Sequence, residues 1–237
     1  MKDLFQQEDG MTTMSWVLLV LLIDVAHVYS TLYRTYFDPV SYKERKALLL
    51  AIPFVGFIVG MLIYSISPLM FWRILAYVAV FHFIRQQYGF LRIYSRREKQ
   101  SESSRLIDSV TIYSATIYPI IYWHLSGPKN FNWFVEGDFI YADLPWLRSI
   151  LGVVFFAILV LYLIKEIFVI TKTRHFNIPK NLVVLGTSLS WYFGIVYYNG
   201  DLTFTLLNVV SHGIPYMALI WLHGRDLCCF THYFCFR

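Results

Sequence analysis

The sequence predicts an all-α fold: a polytopic transmembrane helix bundle of seven spans, with the N-terminus outside and the C-terminus cytosolic. Three observations carry that expectation. Of 237 residues, 57% are hydrophobic and only 15% charged, where soluble domains carry about 25% charge. Apolar stretches near 14–34, 47–66, 69–92, 106–125, 147–171, 181–199 and 202–222 are long enough, or nearly so, to cross about 30 Å of hydrocarbon. The basic residues between them collect on one side.

The first run follows MKDLFQQEDG and is interrupted by Asp24, a pattern that fits an uncleaved signal anchor better than a secretory leader. Polar breaks separate the later runs: DPVSYKERK, SISP, SRREKQSESSR, SGPKNFNWFVEGDFIYADLPW, TKTRHFNIPK and the tight YNGD. With the N-terminus outside, the cytosolic loops and helix ends hold Arg34, Lys43, Arg45, Lys46, Arg92, Arg96, Arg97, Lys99, Arg105, Lys165, Lys172, Arg174, Lys180, Arg225 and Arg237. The outer side holds only Lys2, Arg73, Lys129 and Arg148, and Arg85 is left inside a span. That asymmetry is the positive-inside pattern. Trp16, Trp72, Trp123, Trp146, Trp191 and Trp221 fall near span ends or along interfacial belts. Neither a repeat nor a second domain is visible, so residues 1–237 read as one integral membrane domain.

The net charge of +5 is spread between apolar runs rather than gathered in a patch, which argues against a nucleic-acid partner. The expected partners are the lipid bilayer of a cell membrane and a hydrophobic small molecule. Cys228, Cys229 and Cys235 lie in the last ten residues and cannot form a framework for the fold. With His232 they match no zinc spacing; acylation of a juxtamembrane tail is the chemistry open to them.

An ionisable residue inside a span costs about 2.5–3.5 kcal/mol on insertion scales, so each needs a partner or a purpose. The first helix carries Asp24, His27, Thr31, Arg34 and Asp38 at three-and-four spacing, one polar face on an apolar rod. The third repeats the pattern with His82, Arg85, Gln86 and Gly89. The seventh offers Asn208, Ser211, His212 and Tyr216, with Pro215 expected to kink it. All three helices run inward under the charge-based topology. His27, His82 and His212 then lie about 20, 20 and 15 Å below the outer surface, at 1.5 Å per residue. His124 belongs to the outer rim, where packing in the aromatic belt is expected, and His175 falls in a basic loop.

Imidazoles with a carboxylate are the usual ligands of zinc or non-haem iron. The reading therefore gives His27, His82, His212 and Asp24 as metal ligands, iron before zinc. Arg85, Gln86 and Asn208 would orient them, and Asp24, Arg85 and Tyr216 would supply acid–base or hydrogen-bonding groups. Other uses of the same residues remain open. They include a structural polar network with Asp24 paired to Arg85, haem held by two histidines, and a transport or proton-conducting pathway along an Asp–His–Arg chain. Retinal is disfavoured, because the seventh run has no lysine. Phosphate-binding glycine loops, HExxH and nucleophile elbows are absent. The long aromatic loop after the fourth run reads as a surface loop or a lid over the bundle mouth.

The fragments DVAH, FHFIRQQYG and SHGIPY resemble those of the membrane-integral β-carotene dioxygenases of bacteria and archaea. That resemblance implies a small polytopic bundle in which single histidines on separate helices hold a non-haem iron for cleaving an isoprenoid. His27, His82 and His212 would be the matching positions, with Asp24 or His124 in a fourth place. The HxxxH and HxxHH boxes of membrane desaturases are missing. The expected activity is a metal-dependent oxygenase or oxidoreductase acting on a lipid-like or isoprenoid substrate.

Overall fold

The structure, a computed structural model, describes residues 11–230, with side chains as far as Gly224. The cysteine-rich end, Cys228, Cys229, His232 and Cys235, lies outside the described side chains. Every regular element among the described residues is helical. We number them α1 (Thr13–Arg34), α2 (Pro39–Ile66), α3 (Pro68–Ser95), α4 (Glu102–His124), α5 (Pro145–Thr173) and α6 (Ile178–Trp191). The last, α7, starts with Asp201–Phe204 and ends with Ser211–Phe230. Each of the seven apolar stretches thus forms a helix. Five of them, α1, α2, α3, α5 and α7, are long and apolar enough to cross a membrane. α4 opens on Glu102, Arg105 and Asp108, and α6 is short.

Capping residues explain why several helices begin earlier than the hydropathy suggests. Asp38 accepts a hydrogen bond from the Val40 amide at 3.1 Å, and Pro39 follows at the first helical position, where its missing N–H costs nothing. α2 therefore starts at Pro39 and carries KERK as a polar first segment, with a kink at Arg45. Asp38 thus caps α2 instead of extending the polar face of α1; the chain leaves the helix after Arg34, which is exposed. The Ser41 hydroxyl is the main cause holding the Asp38 carboxyl below its ordinary range. Ser101 caps α4 through the Ser104 amide at 3.2 Å, and Asn177 caps α6 through the Lys180 amide at 3.1 Å. α5 ends at Arg174 in the left-handed region (φ 54°), a helix stop that glycine usually supplies.

Among the described residues three segments are π-helical: Val17–Val25 within α1, Tyr192–Tyr197 continuing α6, and Thr205–Val210 within α7. Such i→i+5 turns are rare and gather at functional sites. His27 and His212 each sit two residues beyond the end of one of these runs.

The chain divides into two compact units. One comprises residues 73–207. Here α4 packs on α5 and α6, and Leu91, Ile112, Tyr162 and Val184 form a buried core. Tyr118 stacks on Phe155 at 4.6 Å. The loop after α4 is folded onto Trp123, which is fully buried against Phe131 and Phe139, with Phe204 5.6 Å away. Asp138 fixes its turn by accepting from the Phe134 and Val135 amides, beside Gly137 at φ 79°, and Arg73 donates to the Gly137 carbonyl at 2.9 Å. The loop is therefore packed through its own side chains. Within it, burial and the nearby Arg148 charge push the Lys129 amine down to about 8.

The second unit holds residues 11–72 and the chain from Asn208 onward. α1 runs against α7. None of α2 is buried, and it exposes Phe54, Phe57, Leu62 and their neighbours. A surface of that kind is stable only against an apolar medium.

Candidate functional site

Within the second unit, α1 and α7 bring His27 and His212 together. Their ring centroids are 4.9 Å apart with the planes at 85°, and they are only 3% and 0% exposed. One ring nitrogen of each lies within 4.8 Å of one of the other. Two nitrogens on one ion, at about 2.0–2.1 Å each, stand at most about 4.2 Å apart, so a small ring rotation suffices to share a metal. Gly213 permits the approach. A Cβ there would meet Ile23 Cγ2 at 3.3 Å, and His27 Nδ1 and the Ile23 carbonyl at 3.4 Å each.

Polar groups surround the pair. Asp24, one turn before His27 and half-buried, places Oδ1 3.2 Å from His27 Nδ1. The Tyr216 ring lies 6.1 Å from that of His27, and its hydroxyl shares a 3.0 Å hydrogen bond with Thr31 Oγ1. Asn208 is 1% exposed, one turn before His212; its backbone carbonyl accepts from the Ser211 hydroxyl at 3.3 Å. The three-and-four spacing of Asp24, His27 and Thr31, and of Asn208, His212 and Tyr216, thus gathers on the facing sides of α1 and α7.

The remaining predicted residues lie on α3 in the other unit. His82 is exposed, its ring 6.2 Å from that of Phe83. Arg85 donates to the Tyr113 hydroxyl and lies 5.2 Å over the Tyr88 ring, so its partners within this unit are tyrosines. Gln86 is half-buried. Its neighbour Gln87, which the sequence reading passed over, is buried and accepts from the Thr187 hydroxyl at 3.0 Å. His124 packs as expected. Its Nδ1 donates to the Ile120 carbonyl at 2.7 Å, which leaves Nε2 to accept from the Tyr77 hydroxyl at 2.8 Å. Both ring nitrogens are then used.

Residues 73–207 also hold a buried charge network that hydropathy and charge counting do not reveal. Lys165 and Lys180, expected among the basic residues of cytosolic loops and helix ends, are only 8% and 1% exposed. Lys165 pairs with Asp108 and Glu166. Lys180 lies 2.7 Å from Glu166, 3.2 Å from Glu98 and 3.8 Å from Asp108. Gln100 donates to Asp108 at 2.7 Å and Asn181 to Glu166 at 2.8 Å, while Tyr162 donates to Asn181 at 2.9 Å. The one signal was the dipeptide Lys165-Glu166 inside an apolar run, too costly to leave unpaired.

No protein-family model matches the chain, and no curated protein or solved structure matches it. Fold and site alone define the class: an all-helical protein with five helices fit to cross a membrane and a buried histidine pair between α1 and α7.

Proposed function

We propose that the protein is an integral membrane, metal-dependent oxygenase or oxidoreductase, holding iron in preference to zinc and acting on a hydrophobic, lipid-like or isoprenoid molecule. The observation that supports this reading is the burial of His27 and His212 edge to face, with the Asp24 carboxylate against one of them. Two imidazoles and a carboxylate with open positions are the ligand set of non-haem iron oxygenases. His27, His212 and Asp24 would hold the ion, and His82 would join them from α3, at the depth its place in the sequence gives it.

Bound there, the ion supplies a Lewis-acidic centre for oxygen chemistry. The chain's own groups do the rest. Asp24 orients the His27 ring and accepts or returns a proton at its carboxylate. Tyr216, steadied by Thr31, offers a hydroxyl donor, and Asn208 stands beside His212 where it can orient that ring. Arg85 and Gln86 are the corresponding polar groups on α3. The 20 Phe, 18 Tyr and 7 Trp suit a cavity for an elongated apolar molecule. In this reading all seven helices cross a cell membrane, with the N-terminus outside.

Metal analysis of the purified protein tests the proposal. Iron or zinc near one equivalent, lost in His27→Ala, His212→Ala and His82→Ala, is the expected result; retention in His82→Ala removes α3 from the site. The 3.2 Å approach of Asp24 to His27 also favours a second reading, a transport or proton-conducting path without metal. Metal-free protein that moves protons across liposomes would select it.

A further inference from the structure

A cavity of about 920 Å³ opens where the ends of α3 and α5 meet the beginnings of α4 and α6, wholly within residues 73–207. Its floor is the charge network, whose carboxylates are occupied. Glu166 is engaged by Lys165, Lys180 and Asn181, and Glu98 by Lys180 and Gln100. Its rim differs. Arg97, Lys99 and Lys172 line the opening, are exposed, and form no ion pair among the described residues; His175 stands with them.

Two further features point to an anion. The N-terminal ends of α4 and α6 both face the cavity, through Ser103 and Ser104 and through Ile178, adding the partial positive charge of two helix starts. Ser104, only 9% exposed, is among the residues lining the same cavity, and its buried hydroxyl has no hydrogen-bond partner among the described residues. A third feature says what the anion is attached to. Phe168, 63% exposed on the membrane-capable α5, borders the cavity together with Ile107 and Val169. An acyl chain could lie along that flank while its head reaches the basic rim. Basic pockets between membrane helices recognise phosphorylated lipid heads in this way.

We propose that this cavity is a binding site for the phosphate-bearing headgroup of an anionic lipid, held by Arg97, Lys99 and Lys172, whose three positive charges outweigh the single negative charge that Glu98, Asp108 and Glu166 leave against Lys165 and Lys180 in the floor. The assignment is independent of the metal, because it shares no residue with the histidine pair.

The test uses the full chain in neutral-detergent micelles, offered phosphatidic acid or phosphatidylcholine and read by native mass spectrometry for retained lipid. Wild type should retain phosphatidic acid at least tenfold more than phosphatidylcholine. An Arg97→Gln, Lys99→Gln, Lys172→Gln triple variant should lose that preference at an unchanged melting temperature. A control with Lys43→Gln, Arg45→Gln and Lys46→Gln, exposed cations on α2, should keep it. Inorganic pyrophosphate should displace the lipid only at a much higher concentration. Four results would each overturn the proposal: no preference in wild type, full retention in the rim variant, equal loss in the control, or pyrophosphate binding as tightly as the lipid. The last would reassign the cavity to a soluble phosphate compound.

Discussion

The edge of one imidazole meets the face of another where His27 and His212 come together, 4.9 Å between ring centroids and almost wholly out of solvent. An ion bound only by the folded protein stabilises it by mass action. Stripping the purified protein with a strong chelator should therefore lower its melting temperature by several degrees, and adding back ferrous iron should restore it. In His212→Ala the chelator should leave the melting temperature unmoved. A wild type indifferent to chelator would argue for a packing role alone.

Gly213 makes the approach possible, and replacing it separates two effects of similar size. Alanine gains about 1 kcal/mol over glycine in helix propensity, whereas overpacking costs about 1–3 kcal/mol. At Gly186, where a Cβ meets nothing within 4 Å, Gly186→Ala should be neutral or stabilising. At Gly213 the new methyl faces Ile23 and His27. Gly213→Ala should therefore be destabilising by up to about 2 kcal/mol and should lower bound metal as well. Equal behaviour of the two variants in thermal melts would show that α1 yields freely.

Lys180 is 1% exposed and faces three carboxylates. Breaking a buried ion network by removing one partner costs about 3–5 kcal/mol, because the charges left behind stay buried. Lys180→Met should show a loss of that order in denaturant unfolding, with metal content per folded molecule unchanged. A loss under about 1 kcal/mol would mean that water reaches the network.

The Lys129 amine titrates at about 8, lowered first by burial and then by Arg148. Its folded value lies below its unfolded one, so the unfolded chain binds more protons from about pH 8 to the ordinary lysine range. The charge thus opposes folding below about pH 8, and stability gains as pH rises through that interval. Acetic anhydride at pH 8 should modify Lys129 at least tenfold faster than exposed lysines such as Lys43, since far more of its amine is neutral. Peptide mapping by mass spectrometry reads the ratio, and equal rates would place Lys129 in bulk solvent.

Much of this architecture can be read from residue order. Each apolar run is a helix because length and hydropathy suffice to specify one, and the polar stripes that carry His27 and His212 are legible because helical spacing puts them on one face of α1 and of α7. The limits of that reading are physical. Helix starts are set by caps such as Asp38 and Ser101, which hydropathy does not register. Asp38 continued the spacing of the α1 stripe by coincidence, because the helix had already ended. Lys165 and Lys180 looked like ordinary flanking cations, since their carboxylate partners Asp108, Glu166 and Glu98 lie mostly on other helices and are revealed only by packing. The tyrosine partners of Arg85 were hidden for the same reason.

The widened turns upstream of His27 and His212 make this protein tolerant of a change in chain length in an unusual place. Each i→i+5 turn holds one residue more than an α-turn, so deleting a single leucine between Val17 and Val25 would let the segment relax into ordinary α-helix. The rod would still be long enough for a bilayer, and nothing apolar would be lost in kind. Eight α-residues turn through nearly the same total angle as nine in widened turns, so His27 would keep its face toward α7; only a deletion in the ordinary α-helix that follows would re-phase it, by about 100°. A one-residue deletion between Val17 and Val25 should leave both insertion and the histidine contact intact, whereas deletion of Ala26, in ordinary α-helix, should abolish the contact.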